Sequence, residues 1–158
     1  MISADQVGPL ELLVVQPTPF CNLDCSYCYL PNRLDKRKIT LETLEKTFEW
    51  VFSSGLVRQP FTLLWHAGEP MVLPASFYEQ ATQVLERCNT GGIEVIQSIQ
   101  TNATLVNDEW CDYLLRRNVQ LGVSVDGPDF LNYRNRTTRN GGGTLDRVLR
   151  GIKLLRDH

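Results

Sequence analysis

The feature that most constrains this chain is a set of three cysteines, Cys21, Cys25 and Cys28, which directly follows a short apolar run. Four thiolates would close a structural metal site, whereas three leave one metal position open to an outside ligand. The spacing therefore predicts a loop folded around a metal cluster with one open position. Two alternatives remain: a zinc knuckle that lacks its fourth ligand, and a disulfide loop with a spare thiol. Neither is favoured, since no His or Cys follows at the spacing of a zinc site.

Apolar and amphipathic segments alternate four times along the chain. Apolar runs of strand length cover residues 10–16, 61–65, 93–99 and 119–125. Helical spacing of apolar residues covers residues 41–51, 74–88, 107–117 and 144–156. The continuous runs are typical of strands covered on both faces in a parallel sheet, so the pattern predicts an α/β fold with right-handed crossovers. The polar and basic stretch between the last strand and the last helix is predicted to be a loop.

Polar and small residues follow the second and third predicted strands. His66, Gly68 and Glu69 follow the second strand, and Gln100 and Asn102 follow the third. The carboxyl ends of parallel strands meet at one edge, so we expect these residues to face the same opening as the cysteines. Glycine permits close backbone approach to a ligand, a carboxylate accepts a hydrogen bond from an ammonium group, and histidine moves protons or binds substrate. The alternative is an ordinary strand-to-helix turn with a solvated glutamate.

The fourth strand ends in a further pair of polar residues. Ser124 and Asp126 alternate with Val123 and Val125, so both polar side chains are expected on one face, the interior of a barrel. Buried polar groups need partners, which a cofactor or substrate supplies. In the alternative interpretation the serine and the aspartate cap the turn before Pro128.

Two other sets of side chains lie outside these motifs. Arg134, Arg136 and Arg139 form a basic cluster; such a cluster is usually a solvated loop, but a guanidinium also suits two-point binding of a carboxylate. Cys88 and Cys111 fall on predicted helices and are expected to be ordinary buried thiols.

Composition excludes several classes of partner. The chain has 158 residues, a net charge of -2 and a pI near 5.7, which gives no electrostatic case for binding nucleic acid or an anionic membrane. No apolar run approaches the roughly 20 residues of a membrane span. The start of the chain lacks the features of a signal peptide, and the clustered cysteines fit a reducing compartment. These features predict a cytoplasmic protein with one domain.

The cysteine spacing, with Tyr27 before the last cysteine, resembles the cluster loop of the radical S-adenosylmethionine enzymes. The resemblance implies a [4Fe-4S] cluster held by Cys21, Cys25 and Cys28, whose open iron takes the amino and carboxylate groups of S-adenosylmethionine. In that family, reductive cleavage of this cofactor yields a 5'-deoxyadenosyl radical. The resemblance also implies that Tyr27 packs against adenine.

Other motifs extend the resemblance to cofactor binding. The run His66-Ala67-Gly68-Glu69-Pro70 resembles the family's Gly-Gly-Glu-Pro, whose backbone and glutamate hold the methionyl amino group. Ala67 replaces the first glycine, and a left-handed conformation there would be strained. The resemblance further implies cofactor-binding roles at strand ends and in the basic cluster for Gln100, Asn102, Ser124 and Arg136. Ser124 is expected near the ribose or carboxylate of S-adenosylmethionine, and Arg136 at its carboxylate. His66 and Asp126 are expected to be catalytic residues.

The order of these motifs is similar to that in the peptide-modifying group that includes the anaerobic sulfatase maturases. The flanks of the cysteines, Gln16-Pro17-Thr18-Pro19-Phe20 and Tyr29-Leu30-Pro31, look most like the subgroup that crosslinks glycine-rich repeat peptides. The resemblance implies a peptide or protein substrate and an electron donor such as flavodoxin or ferredoxin. Alternatives are formylglycine formation in a sulfatase, a non-catalytic iron-sulfur remnant, or an electron-transfer module.

The family core is a partial (β/α)6 TIM-like barrel, of which residues 1–158 are expected to supply the first four β/α units. The C-terminal units and the cysteine-rich SPASM domain are expected to be absent. An unclosed sheet of this kind would expose the edge of strand four.

Overall fold

A computed structural model describes residues 7–158 and shows a four-stranded parallel sheet in the order β1-β2-β3-β4. The strands are β1 (Leu12–Val15), β2 (Phe61–Trp65), β3 (Val95–Thr101) and β4 (Gln120–Val123). The helices are α1 (Leu41–Ser53), α2 (Ala75–Cys88), α3 (Asp108–Arg116), α4 (Asp129–Asn135) and α5 (Leu145–Asp157), with a 3-10 turn at Pro70–Val72. The α/β fold with alternating strands and helices is therefore confirmed.

Local sequence sets the start of two helices. The Thr40 hydroxyl accepts a hydrogen bond from the Thr43 amide at the start of α1, and the Asn107 side chain accepts one from the Trp110 amide at the start of α3. These caps satisfy amide groups that the first helical turn leaves without partners. The predicted boundaries of both helices lie within two residues of the observed ones.

The core lies between one face of the sheet and helices α1, α2 and α3. Trp65 packs edge-on against Tyr78, with ring centroids 5.2 Å apart, and Tyr78 is also 5.2 Å from Trp110. All three side chains are almost fully buried. Such aromatic pairs contribute about 0.5–1.5 kcal/mol each beyond the area they bury. This cluster anchors the helices to β2, the strand that leads into the candidate site.

The prediction that the first strand is covered on both faces is wrong. Leu12 and Val14 are each 50% exposed, whereas Val15 is buried against the helices. The helices cover only one face of the sheet, and the alternation of side chains puts Leu12 and Val14 on the other. A continuous apolar run predicts a strand but does not say how many layers cover it.

The stretch after β4 is also not a simple loop. Residues Asp129–Asn135 form the short helix α4, which begins after Pro128 and contacts α5. Its Asn132 is fully buried and donates a hydrogen bond to Thr144 over 3.0 Å. Because a polar residue rather than an apolar stripe fixes this helix, hydrophobic spacing does not reveal it.

Strands β1 and β4 form the two edges of the sheet. Among residues 7–158, no helix is long and apolar enough to cross a bilayer.

Candidate active site

The cysteine loop (residues 21–28) follows β1 after two prolines that end the strand. All five cysteines are free thiols, so the disulfide alternative is wrong; Cys111 is buried as predicted, but Cys88 is only partly buried. Burial raises the pKa of the Cys21 thiol to about 11 and also raises that of Cys25. These thiols are therefore protonated at neutral pH in the protein alone, and binding a metal would release their protons.

A short chain segment that begins at the last residue of α4, the clamp segment (residues 135–139), pairs with the cysteine loop. Leu23 forms an antiparallel bridge with Thr138, and the Asp24 amide donates to the Thr137 carbonyl over 2.8 Å. The Ser26 amide donates to the Asn135 carbonyl over 2.9 Å. These bonds pair the cysteine loop with the clamp segment in a short antiparallel arrangement that lies outside the main sheet.

Two arginines that were not predicted as site residues hold the same loop. Arg139 donates from one Nη to the carbonyls of Cys21 and Arg33, both over 2.8 Å. Arg33 donates to the Cys25 carbonyl over 3.1 Å, and both arginines pair with Asp24. The loop's backbone carbonyls therefore point toward positive charge, and its fold does not depend on the thiols alone.

The turn after β2 has an unusual backbone. Ala67 and Gly68 both have positive φ, 74° and 64°. A Cβ on Gly68 would lie 2.2 Å from the Thr18 carbonyl oxygen and 2.7 Å from that of Phe20. The turn is thus packed against the start of the cysteine loop, and the strain expected for a left-handed Ala67 is present.

Glu69 is 1% exposed and anchors three neighbouring groups. One carboxylate oxygen accepts from the Met71 amide (2.9 Å) and from the Thr101 hydroxyl (2.6 Å), and the other accepts from the Asn102 amide (2.8 Å). Burial raises the pKa of Glu69, and these three hydrogen bonds oppose that rise. The carboxylate ties the end of β3 to the turn after β2, which excludes the solvated-glutamate alternative.

The third and fourth strands bring polar side chains to the same edge. Gln100 donates a hydrogen bond to the Ser124 hydroxyl over 2.9 Å, and Asn102 donates to Asn22 of the cysteine loop over 2.9 Å. A Cβ on Gly122 would lie 2.2 Å from the Gln100 side-chain oxygen. Gly122 therefore makes the room that Gln100 occupies, a role that the sequence analysis missed.

Asp126 links an aromatic neighbour, Tyr27, to a cationic one, Arg136. Tyr27 donates its hydroxyl proton to Asp126, with both carboxylate oxygens within 3.0 Å, and Arg136 donates from Nε over 2.8 Å. The guanidinium carbon of Arg136 lies 5.4 Å from the centroid of the Tyr27 ring. Partial burial of the Tyr27 hydroxyl and its bond to Asp126 raise the pKa of Tyr27 to about 12. Burial lowers the pKa of Arg136, but Asp126 and Tyr27 more than offset this and raise it overall.

These elements surround an open pocket at the carboxyl edge of the sheet. Every predicted site residue except Asp126 lines it, namely Cys21, Cys25, Tyr27, Cys28, His66, Ala67, Gly68, Glu69, Gln100, Asn102, Ser124 and Arg136. Asp126 lies behind Arg136 and Tyr27, so it does not contact the pocket, and its catalytic role stays a prediction. Leu23, Tyr29, Leu30 and Thr101 also line the pocket.

The donor set fits a cluster rather than a single ion. Within residues 7–158, no three His, Cys, Asp or Glu side chains converge as ligands of one metal ion. In a cubane cluster each thiolate binds a different iron, so the three sulfurs need only surround one side of the cluster. The three cysteines line the same pocket as polar residues from the strand ends, so the residues present would fit a cluster with one open iron.

Comparison with known proteins identifies the family. The profile of the Radical SAM superfamily matches residues 15–158. The chain belongs to the radical SAM superfamily. Members of this superfamily are enzymes that use a [4Fe-4S] cluster and S-adenosylmethionine, so both cofactors expected from the cysteine motif are confirmed.

Radical SAM relatives include peptide-modifying enzymes. The chain is 41% identical over 152 residues to an uncharacterized protein of Synechocystis, covering 94% of this chain and 38% of that protein. It is 35% identical over 157 residues to a serine-type anaerobic sulfatase-maturating enzyme of Bacteroides thetaiotaomicron, covering 95% of this chain and 37% of that enzyme. The chain thus spans less than half the length of these relatives.

Solved structures have the same fold. The structure of anSMEcpe with bound AdoMet and the Cp18Cys peptide matches with a TM-score of 0.83 at 26% identity, covering 94% of this chain and 40% of that one. The structure of Streptococcus suis SuiB bound to precursor peptide SuiA matches with a TM-score of 0.63 at 24% identity, covering 95% of this chain and 31% of that one. The latter likeness concerns the fold alone.

Proposed function

We propose that this chain forms the cofactor site of a radical enzyme that abstracts hydrogen from a peptide or protein substrate. The observation that carries the proposal is the pocket itself, in which three cysteines and the ends of three strands face one another. A module used only for electron transfer needs no open iron and no polar pocket beside it. The cluster, when bound, supplies one electron for cleavage of S-adenosylmethionine.

Cys21, Cys25 and Cys28 are the proposed cluster ligands. Burial raises the pKa of the Cys21 and Cys25 thiols, so iron would have to offset the cost of removing their protons. Arg33 and Arg139 position the loop by binding its carbonyls, which keeps the thiols in one arrangement before the cluster is assembled.

The walls opposite the cysteines are proposed to hold S-adenosylmethionine. Glu69 accepts the methionyl ammonium, and the backbone of the Ala67-Gly68 turn lies alongside it. Arg136 uses Nε for Asp126, so we assign its Nη groups to the cofactor carboxylate. Asp126 then acts as a positioning residue for the guanidinium.

Further cofactor contacts come from the edges of the pocket. Ser124 and Gln100 are already hydrogen-bonded to each other and are proposed to bind the ribose or carboxylate together. Asn102 holds Asn22 and lies beside the Cys21 sulfur, 4.0 Å away, so it orders the loop as well as the cofactor. Tyr27, which is 54% exposed, is proposed to cover the adenine.

The substrate is proposed to be a peptide segment. Two reactions are candidates: crosslinking of a ribosomal peptide, as the motifs flanking the cysteines suggest, and oxidation of Ser or Cys to formylglycine. The second is favoured by the similarity to serine-type and cysteine-type sulfatase-maturating enzymes at 35% and 29% identity. His66, which lines the pocket, is the candidate group for moving a proton to or from substrate.

The setting of the site is proposed on the same grounds. Residues 1–158 correspond to the N-terminal portion of a radical SAM core, acting in the cytoplasm with an electron donor of the flavodoxin or ferredoxin kind. The remaining barrel units and a SPASM domain are proposed to belong to the complete enzyme.

Formation of 5'-deoxyadenosine by the anaerobically reconstituted, reduced chain tests this proposal. We expect the product from the wild type and from Cys88→Ala, whose thiol lies outside the pocket, and none from Cys25→Ala. Product from all three proteins, or none from the wild type despite normal iron content, would contradict the proposal.

A further inference from the structure

A second cavity lies beside Arg33 and Arg139, the two arginines that bind the backbone of the cysteine loop. It is lined by Leu30, Pro31, Asn32, Arg33, Leu34, Asp35, Arg37 and Arg139, and it shares only Leu30 with the first pocket. The two cavities are therefore almost separate, and the second is connected to the cysteine loop through the two arginines.

This face carries excess positive charge. We define the basic surface as Arg33, Arg37 and Arg139, which line the cavity, together with Lys36 and Lys38, which flank Arg37 in the chain. Asp24 pairs with Arg33 and Arg139, and Asp35 pairs with Arg37, so the basic surface has five cationic side chains and these ion pairs use two carboxylates. The whole chain has a net charge of -2, so the excess is local. Lys36, Arg37 and Lys38 are exposed, and Leu34, 68% exposed, adds an apolar contact among them.

The basic surface is joined directly to two of the proposed cluster ligands. The Cys21 amide donates to the Arg33 carbonyl over 3.1 Å, and Arg33 donates to the Cys25 carbonyl over 3.1 Å. Arg139 bonds the Cys21 carbonyl over 2.8 Å. An electron entering at this surface would therefore reach the ligands through a few covalent and hydrogen bonds, without crossing the substrate pocket.

We propose that the basic surface docks an acidic one-electron carrier protein. Electrostatic complementarity steers such encounters and speeds association, mostly at low ionic strength. One electron passes from the reduced carrier, which is oxidised by one electron, to the cluster, which is reduced by one electron; no atoms are transferred. The proposal rests on the proposed function, because only a protein that holds the cluster needs this donor.

Lys36 and Lys38 are suitable for the test because both are exposed and neither lines the cofactor pocket. The test variant is Lys36→Glu/Lys38→Glu, with Lys38→Glu alone as a milder change. The matched control is Arg150→Glu/Lys153→Glu, which reverses two exposed charges on α5. Both double variants change the net charge equally, so a difference between them reports the location of the charge.

Two measurements use the reconstituted chain with flavodoxin as the probe. The first is the dissociation constant for oxidised flavodoxin, which requires no turnover. The second is the stopped-flow rate of cluster reduction by reduced flavodoxin, compared with reduction by photoreduced deazaflavin, a small reductant that needs no docking surface. At low ionic strength we expect the test variant to weaken binding and slow reduction by about tenfold or more, with a flatter dependence on salt.

The control should behave as the wild type, and deazaflavin should reduce all variants alike. Equal flavodoxin binding and rates in the test and control variants would overturn the docking proposal while leaving the proposed function intact. The same loss with single-stranded DNA as the probe, and none with flavodoxin, would also overturn it. If deazaflavin reduces no cluster in any variant, the proposed function fails first.

Discussion

Gly68 lies very close to the backbone that leads into the cysteine loop, and adding one methyl group at Gly68 tests whether this close contact matters for stability. In Gly68→Ala the new Cβ would lie 2.2 Å from the Thr18 carbonyl oxygen and 2.7 Å from the Phe20 carbonyl oxygen. Both are backbone atoms that lead into the cysteine loop, so no side chain can rotate away. Gly92 is the matched control, because its φ of 62° is similar to the 64° of Gly68 but no atom lies within 4 Å of its added Cβ.

The two variants separate backbone strain from steric overlap. Placing Ala in the left-handed region costs about 1–2 kcal/mol, partly offset by the smaller entropy of the unfolded Ala chain, so Gly92→Ala should lose about 1 kcal/mol. Gly68→Ala carries the same cost and also forces a backbone shift, at about 1–3 kcal/mol. The expected total for Gly68→Ala is therefore about 2–4 kcal/mol, a large part of a typical domain stability of roughly 5–15 kcal/mol.

Urea denaturation of the cluster-free chain, followed by tryptophan fluorescence, measures both changes in the free energy of unfolding. Thiol alkylation at Cys21 should also become faster in Gly68→Ala, since the turn displaces the loop. Equal losses in the two variants would refute the reasoning, because the approach of the turn to residues Thr18 and Phe20 would then have no energetic consequence.

Three further predictions concern the surroundings of the site. Ala67→Gly should raise the free energy of unfolding by about 0.5–1 kcal/mol in urea titrations, since relief of left-handed strain outweighs the added chain entropy; a loss would contradict the observed φ of 74°. Glu79 has its pKa lowered from 4.5 to about 2 by hydrogen bonds from Arg117 and Arg116. The contribution of ionised Glu79 to the free energy of unfolding is present above pH 4.5 and is lost as the pH falls toward 2. Glu79→Gln should therefore lower the free energy of unfolding, measured in urea, by about 1 kcal/mol at pH 7 and by little at pH 2. A loss of stability that does not depend on pH would contradict this. Arg139→Met should lower the iron bound per chain and speed alkylation of the free cysteines, because it removes charge-assisted bonds worth about 1.5–3 kcal/mol each; the exposed Arg134→Met is the control, and equal iron content would contradict the role of Arg139.

Sequence reasoning located the pocket because its signals are local. Pro17 and Pro19 end the first strand just before the cysteines, and the polar residues of the other strands come directly after apolar runs. Parallel connections then bring all the strand ends to one edge. Placement of His66, Glu69 and Ser124 around the cysteines follows from topology alone.

The contacts that hold the site were hidden because they join residues far apart in the chain. Arg139 binds the Cys21 carbonyl across 118 positions, and nothing near either residue marks the pair. Glu69 is fully buried by three donors, although glutamate is usually exposed. Gly122 resembles an ordinary strand glycine until the Gln100 side chain is seen against it.

Electron paramagnetic resonance of the anaerobically reconstituted, reduced chain, recorded with and without S-adenosylmethionine, tests the central claim most directly. A [4Fe-4S] signal that shifts when the cofactor is added is the predicted result, because the pocket beside the three cysteines would then admit a ligand to the open iron. A cluster signal that ignores the cofactor, or no cluster at all with Cys21, Cys25 and Cys28 intact, would contradict the account.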